Sequence, residues 1–294
     1  MHRFSLKPAF FLLSAIFMAS CKTLPTGQLS QLATSATGLH ASMEVSFNKT
    51  ITILEERTWL KYTDTLITMA DYSDATAETL KPIFSSRLQY ITVLDAYFSS
   101  LQALATKNNG QGIDESATKL NAALSGLDKY IPAGNQGIAK NFTIGFSIIT
   151  DFIAHSVSQG VQLKYLKLAM DKAQPGIDSV CKYIALDLQR AERLLQTNDK
   201  AVIERLIATR NSGSSLTERV KWDKYIHARI AEMEALHNSY LASIQLVSTL
   251  PNAHRQARAM LDKKGSLKDA IAYVISEAND LSTLYSQLKS SESN

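Results

Sequence analysis

The chain has 294 residues, of which 45% are hydrophobic and 20% are charged, with 31 basic residues against 27 acidic ones. This near balance of charge excludes the strong electrostatic attraction that brings basic proteins to nucleic acid. The length suits one large domain or two small ones.

The first twenty residues have the pattern of a secretory signal peptide. Arg3 and Lys7 give a positive start, residues 9–18 form a mostly apolar run, and the small residues Ala19 and Ser20 follow. The run is shorter than the roughly 20 residues that a helix needs to span a bilayer. We therefore expect residues 1–20 to be removed, not to anchor the protein.

The tetrad Met18-Ala19-Ser20-Cys21 resembles the lipobox of bacterial lipoproteins, with Met18 in a place where leucine is favoured. The resemblance implies cleavage before Cys21, a diacylglycerol on its sulfur and acylation of the new amine. Two or three acyl chains on one residue anchor a protein stably, whereas one chain binds only marginally. The alternative is an ordinary cleaved signal followed by an accidental cysteine.

The residues after Cys21 give further expectations. Lys22 stands where lipoproteins held at the inner membrane commonly carry Asp, so the resemblance implies the outer membrane, on either face. Residues 21–31, with Pro25 and Gly27, are predicted to form the lipidated cysteine and a flexible tether. If Cys21 is lipidated, Cys181 has no partner for an intrachain disulfide, and its apolar neighbours predict a buried thiol.

Apolar residues at steps of three and four predict amphipathic helices through residues 32–294. The first is expected from about residue 39 to 72, and the second from about 80 to 105. A third is expected from about 113 to 130, before a break at the Pro- and Gly-containing residues 131–137.

The second half of the chain is predicted as further helices. One covers residues 139–170, and after a break or kink at Pro175-Gly176 the helical pattern resumes through Leu195. Residues 197–199 are expected to cap a short helix that ends near Arg210. Capping boxes, Ser215 with Glu218 and Ser266 with Asp269, are expected to start the last two long helices. The first of these is expected to end near Pro251.

The sequence therefore predicts an all-α fold, an elongated antiparallel bundle of long amphipathic helices, without strand patterns. Residues 90–105 also resemble the Ala-, Leu- and Tyr-rich helices of uncharacterised helical lipoproteins, a resemblance that implies no function.

Motifs for catalysis or cofactor binding are not found, so a non-enzymatic protein without cofactor or small-molecule substrate is expected. Glu234 and His237, spaced i, i+3, form half of the motif of di-iron carboxylate proteins, but no second copy exists. His40 with Glu44 could contribute only by departing from that pattern. A metal-dependent enzyme is thus the least favoured of three functional hypotheses, after a non-enzymatic binding protein and a membrane-active protein.

Residues 141–161 form an apolar stretch of nearly membrane-spanning length, which invites comparison with helical pore-forming toxins. Gly145 and Gly160 are of the small type that lets membrane helices pack closely. Asp151 and His155 lie in its middle and make insertion costly. A buried helix is favoured, and a membrane-active protein that inserts this segment is the alternative.

Trp222, Tyr225 and Arg219 are of the residue types that are enriched in the energetic centres of protein interfaces. Trp222 falls off the stripe through Val220 and Ile226, so we expect it at the surface or at a helix seam. The sequence favours a lipid-anchored envelope protein that binds an envelope protein partner or acts as a scaffold, with Trp222, Tyr225 and Arg219 as candidate contacts.

Overall fold

A computed structural model describes residues 26–60, 75–106, 110–127, 144, 148, 159–212 and 215–262. These ranges contain five α-helices and no strand. The helices are α1 (Thr26–Trp59), α2 (Ala75–Thr106), α3 (Gly110–Leu127), α4 (Gln159–Ser212) and α5 (Leu216–Met260). The all-α helical bundle predicted from the sequence is confirmed, and α4 alone is about 80 Å long at 1.5 Å per residue.

Helices α4 and α5 pack antiparallel along their length. Arg210 at the end of α4 forms a bidentate ion pair with Asp223 at the start of α5, at 2.9 and 3.0 Å. At the other end of the pair, Arg258 of α5 binds Asp171 of α4 at 2.7 and 2.9 Å. Both ends are thus held in the same register by charge-assisted hydrogen bonds.

Helix α1 lies antiparallel to both α2 and α5. On α2, Phe47 stacks on Phe84 with ring centroids 4.2 Å apart, and Thr37 donates a 2.6 Å hydrogen bond to Asp95. On α5, Ser239 lies within 3.0 Å of Ser42 across a fully buried seam. Small hydroxyl side chains at this seam let the two helices approach closely while satisfying their polar atoms.

One continuous core joins all five helices. Its largest fully buried side chains are the aromatic residues Tyr97, Tyr240 and Phe98 and a set of aliphatic residues from α1 and α2. Burying one such side chain stabilises a fold by about 1.5–3 kcal/mol, so these stripes hold the bundle together. Cys181 is also fully buried in this core, as predicted, and burial raises the pKa of its thiol.

Helix α1 begins earlier than the sequence predicted. It starts at Thr26 and not near residue 39, so the prediction of a flexible tether is wrong for residues 26–31. Leu29 and Leu32 are fully buried, and Ser30 accepts a 3.0 Å hydrogen bond from Gln102 of α2. Tertiary packing against α2 therefore orders residues whose small and polar character suggested a linker.

Helix α4 runs through Pro175-Gly176, so of the predicted break or kink the break is wrong, and the predicted cap at residues 197–199 is wrong as well. A proline removes one backbone hydrogen bond, but buried Ala173 and Ile177 on either side keep this stretch packed in the core. Asn198 is buried and donates a 2.6 Å hydrogen bond back to the Leu194 carbonyl. This hydrogen bond to the preceding turn satisfies the side-chain amide, so Asn198 lies inside helix α4 and does not end it.

The start of α5 is as predicted, but its end is not. Ser215 and Glu218 form the capping box, each side chain 3.1 Å from the other residue's backbone nitrogen. The helix runs through Pro251 to Met260, so the predicted end near Pro251 is wrong. Buried His254 and Ala257 extend the core face beyond the proline.

The buried face of α5 also differs from the predicted stripe. The apolar spacing predicts that Leu216, Val220 and Leu241 lie on this stripe, but all three are exposed, Leu216 by 78%. The buried positions instead include polar residues such as Arg229 and Ser239, which an apolar-only pattern cannot detect. The second capping box, Ser266 with Asp269, lies outside the described residues.

Candidate functional site

A cavity of about 610 Å³ lies where α1 ends, α4 ends and α5 begins. We call it the tryptophan cavity. Its lining comprises the side chains of Thr52, Glu56, Leu60, Leu206, Glu218, Lys221, Trp222, Tyr225 and Arg229. The first turns of α5 supply most of the wall, because residues three and four apart share one face of a helix.

Two aromatic rings shape the wall of this cavity. Trp222 is partly buried and packs against the core, and its ring meets that of Tyr225 edge to face, with centroids 5.9 Å apart. Tyr225 is 48% exposed. Leu60 and Leu206 add aliphatic surface. The result is an apolar, aromatic concavity of the kind that binds ligands or side chains of partners.

The structure separates the three predicted contact residues. Trp222 and Tyr225 both line the cavity. Arg219 is exposed in the first turn of α5, where its backbone nitrogen donates to the Ser215 carbonyl, and it does not belong to the lining. The cavity therefore unites two of the three residues.

A chain of charged side chains forms the floor of the cavity and extends below it. The Tyr225 hydroxyl donates to Glu56 at 2.9 Å, and Arg229 binds both Glu56 and Glu232. Lys49 donates to Glu232 at 2.6 Å. We call Lys49, Glu56, Arg229 and Glu232 the charge network.

Electrostatics keep Glu232 and Arg229 of this network ionised. Burial opposes the charge of Glu232, but hydrogen bonds and attraction from Lys49 and Arg229 outweigh it and lower the pKa of this carboxyl. Burial likewise opposes the charge of Arg229, yet the nearby carboxylates of Glu56 and Glu232 raise its pKa. Burial and then Glu56 raise the pKa of Tyr225, whose hydroxyl stays a donor at neutral pH.

One donor of the network has no acceptor. Arg229 is only 7% exposed, its two terminal nitrogens bind carboxylates, and its Nε has no hydrogen-bond partner among the described residues. An unpaired buried donor costs about 1–3 kcal/mol. This nitrogen is itself closed off from solvent, so it is not an open group of the cavity wall.

A second cavity of about 430 Å³ lies between α4 and α5 and includes Asp199, Ile230, Glu234 and His237 in its lining. His237 Nδ1 lies 2.9 Å from a Glu192 oxygen, at ion-pair distance but without hydrogen-bond geometry. Burial raises the pKa of Asp199 to about 6, against the attraction of Arg229.

The Glu234 and His237 pair does not form part of a metal-binding cluster within the described ranges. No group of three or more His, Cys, Asp or Glu side chains in those ranges is placed to hold a metal ion. His40 and Glu44 lie on α1, where His40 is half-buried and Glu44 is exposed. The structure gives the half-motif a position at the second cavity, against Glu192.

Sequence reasoning missed the charge network. Arg229 sits at a core position of α5, three residues after Ile226 and four before Met233, and a charged residue in such a period is a detectable signal. Its partner Glu56 is 173 residues away in sequence, and nothing in a single sequence pairs the two.

Two predicted features fall largely outside the described residues. Cys21 does, and so does most of the apolar segment 141–161, of which Ile144 and Ile148 are described and residues 159–161 begin α4. Among the helices that the structure describes, none is both long and apolar enough to cross a membrane.

No family model matches this sequence, and no curated protein or solved structure matches the chain.

Proposed function

We propose that this protein is a lipid-anchored, non-enzymatic module of the bacterial outer membrane that binds an envelope protein through the tryptophan cavity. The observation that carries the proposal is the cavity itself, in which Trp222 and Tyr225 form an aromatic wall over buried charges. Its volume lies within the range of about 300–1,000 Å³ that is usual for binding pockets.

Preorganisation of the wall supports binding. Trp222 is held by the core and by its contact with Tyr225, and Tyr225 is held by its hydrogen bond to Glu56. Rings that are already fixed lose little conformational entropy when a partner binds, so more of the contact energy appears as affinity. Tryptophan and tyrosine are also the residues that most often dominate interface energies.

The charged groups of the floor support a binding role more than a catalytic one. Glu56 and Arg229 hold each other, and Arg229 also holds Glu232. A carboxylate that is engaged in this way serves as a fixed structural partner and is poorly placed to exchange protons with a substrate. The aromatic rings of Trp222 and Tyr225 are the groups left to meet a ligand.

The lipid anchor and the cavity belong to opposite ends of α1. A lipid on Cys21 lies five residues before Thr26, the first residue of α1, so at most about 18 Å of chain separates them. Thr52, Glu56 and Leu60 of the cavity lie about 40–50 Å further along the helix. An anchored protein can therefore present the cavity to a partner well away from the lipid.

In-cell photocrosslinking tests the binding role. Lys221 lines the cavity and is exposed, and a photoreactive residue there should capture a specific envelope protein. Lys182 is exposed on α4 about 36 Å before Leu206 along the helix axis and serves as the control position. Identical products from both positions, or lipid alone, would contradict the proposal. Capture of lipid alone would favour insertion of residues 141–161.

A separate experiment tests the anchor. Replacing Cys21 by Ala removes the proposed lipid attachment, so the protein should move from the membrane fraction to the soluble fraction. Persistence of the Cys21→Ala protein in the membrane fraction would contradict lipid anchoring at this residue.

A further inference from the structure

We propose that Asp199 of the second cavity is a proton-controlled partner of Arg229: when the Asp199 carboxyl group ionises, it accepts the Arg229 Nε–H, and the change reaches the aromatic wall of the tryptophan cavity. The inference does not depend on the proposed binding function, because it concerns contacts within the protein. Three features carry it: two complementary buried atoms, the contacts that place their residues close together, and a series of contacts from Arg229 to Trp222.

Two buried polar atoms of complementary type lack hydrogen bonds at the interface of α4 and α5. They are an acceptor, Oδ1 of Asp199, and a donor, Nε of Arg229. The other atoms of this kind in the described residues lie at ion-pair distance from another side chain, as those of His237 and Glu192 do. Since both remaining atoms are closed off from solvent, a partner for either has to come from inside the protein, and each offers what the other needs.

Contacts of α1 place Asp199 and Arg229 close together. Adjacent residues of α1 bind the two neighbouring helices: Glu56 binds Arg229 on α5, and Arg57 donates to Asn198 on α4. Asn198 directly precedes Asp199 in the sequence. The end of α1 therefore holds the α4 and α5 segments that carry the two unpaired atoms against each other.

The second cavity gives the same placement. Asp199 and Ile230, which follows Arg229 in the sequence, both belong to its lining. Burial raises the pKa of Asp199, and attraction from Arg229 opposes this rise, so the guanidinium acts on this carboxyl. The other charged or titratable side chains around Asp199 are Arg57 of α1, Glu234 and His237 of α5 and Lys200 of α4.

Ionisation of Asp199 changes the balance of charge around Arg229. With Asp199 protonated, the four members of the charge network sum to a formal charge of zero. An ionised Asp199 adds one negative charge beside a guanidinium whose Nε–H is unused. A hydrogen bond between a carboxylate and a guanidinium is roughly twice as strong as one between neutral groups. Asp199 therefore competes with Glu56 for Arg229 once its proton is lost.

Direct contacts connect this competition to the tryptophan cavity. Glu56 binds Arg229 and accepts a 2.9 Å hydrogen bond from the Tyr225 hydroxyl. The Tyr225 ring meets the Trp222 ring with centroids 5.9 Å apart. A weaker hold of Arg229 on Glu56 shifts this carboxylate and the tyrosine that donates to it. The two aromatic rings should therefore differ in position between the two protonation states of Asp199.

A pH titration of the full-length protein by NMR reads both ends of this series of contacts. Labelling with ¹⁵N-arginine gives the Nε–H resonance of Arg229, which is assigned from its loss in Arg229→Lys. Labelling with 5-fluorotryptophan gives a ¹⁹F signal for each of the two tryptophans, and the Trp222 signal is assigned from its loss in Trp222→Phe. Between about pH 5 and 7.5, both signals should shift with one common midpoint at about pH 6.

Three variants identify the group that titrates. Asp199→Asn removes the carboxyl group and should abolish both shifts. Asp178→Asn, at an exposed ion pair of the same helix, is the matched control and should leave both shifts unchanged. His237→Gln should also leave them unchanged, which separates Asp199 from the nearby histidine, since histidines ordinarily titrate in this range.

The possible results lead to different conclusions. An Arg229 Nε–H resonance that does not move in the unmodified protein, or a shift that persists in Asp199→Asn, would overturn the inference. Loss of the shifts in His237→Gln alone would also overturn it and would assign the titration to the histidine. A shifted Arg229 resonance with a stationary Trp222 signal would overturn the connection to the tryptophan cavity.

Discussion

Two regions of the α4 and α5 pair bury a polar side chain, and they differ in whether all of its polar atoms have hydrogen-bond partners. Around His254, Tyr97 lies 3.0 Å from Nε2 and Gln174 lies 2.6 Å from Nδ1, so both ring nitrogens have partners. The rings of Tyr97 and Phe98 pack against the same imidazole. At the tryptophan cavity, Arg229 is also buried, but its Nε has no hydrogen-bond partner among the described residues.

The hydrogen bonds around His254 define its protonation. Gln174 donates its amide to Asp178 and to the Pro251 carbonyl, so its oxygen faces His254 and accepts from Nδ1–H. Nε2 of His254 therefore accepts from the Tyr97 hydroxyl, a tautomer assigned from the network. Burial, and then Arg255, lower the pKa of His254 to about 3. This histidine is neutral in the folded protein.

The comparison distinguishes a region whose polar groups hold the helices together from a region that is open to another molecule. Fully paired polar groups such as His254 fix the register of packed helices, because any shift would leave them unsatisfied. The tryptophan cavity instead presents two aromatic rings in an open concavity, which is a suitable place for another molecule. The following changes, from the largest expected effect to the smallest, test this difference.

Arg229→Ala should lower the free energy of unfolding by about 3–5 kcal/mol, because it leaves Glu56 and Glu232 buried without their shared partner. Urea denaturation measures this effect. Arg190→Ala removes an exposed arginine that pairs with Asp187 and should cost at most about 1 kcal/mol. A cost for Arg229→Ala similar to that of Arg190→Ala would contradict the assignment of a buried network.

His254→Ala should lower the free energy of unfolding by about 2–4 kcal/mol. It creates a space in the core and leaves the Tyr97 hydroxyl and the Gln174 oxygen without their partner. His227→Ala, at an exposed position of the same helix, should change it by less than about 0.5 kcal/mol. Equal effects of the two substitutions would contradict the assignment of His254 as a fully paired core residue.

His254 should also make the protein sensitive to acid. Its folded pKa is lowered, so below the unfolded value of about 6.5 the unfolded chain binds a proton that the folded protein does not. The free energy of unfolding should fall by about 2–3 kcal/mol between about pH 6.5 and 4.5 because of this difference in proton binding. His254→Gln should flatten this part of the pH profile, and an unchanged slope would be evidence against it.

Asp199 should lower the stability of the protein as the pH rises, whereas His254 lowers it as the pH falls. Burial raises its folded pKa to about 6, so the folded protein holds a proton that the unfolded chain has lost, and stability falls as pH rises through about 4–6. Since the side chain is partly exposed, Asp199→Asn should stabilise the protein by only about 1 kcal/mol at pH 7.5. It should have no effect near pH 4, and Asp178→Asn, at an exposed ion pair, should not stabilise at either pH.

The helices could be predicted from the sequence because apolar spacing and the Ser215 capping box are local signals. Predictions failed where packing decides: Leu29 orders residues expected as a tether, and Pro175 and Pro251 lie within helices whose neighbouring residues are buried. Local propensity sets the cost of such residues, and tertiary contacts outweigh it.

The site could be predicted only in part. Trp222 and Tyr225 were identified by residue type, which reports how often such side chains join interfaces. The cavity that they line, and its floor of Glu56 and Arg229, depends on bringing together the ends of α1, α4 and α5. Contacts between residues so distant in sequence carry no local signature.

The measurement that tests the central claim most directly is crosslinking from position 221 in the Trp222→Ala protein, together with its free energy of unfolding. Trp222 is partly buried at the cavity, so its loss should cost no more than about 2 kcal/mol, while recovery of the crosslinked partner should fall about tenfold. Leu186→Ala, at an exposed position of α4, should leave recovery unchanged. Undiminished recovery from a folded Trp222→Ala protein would contradict the claim that this end of the bundle is a binding site.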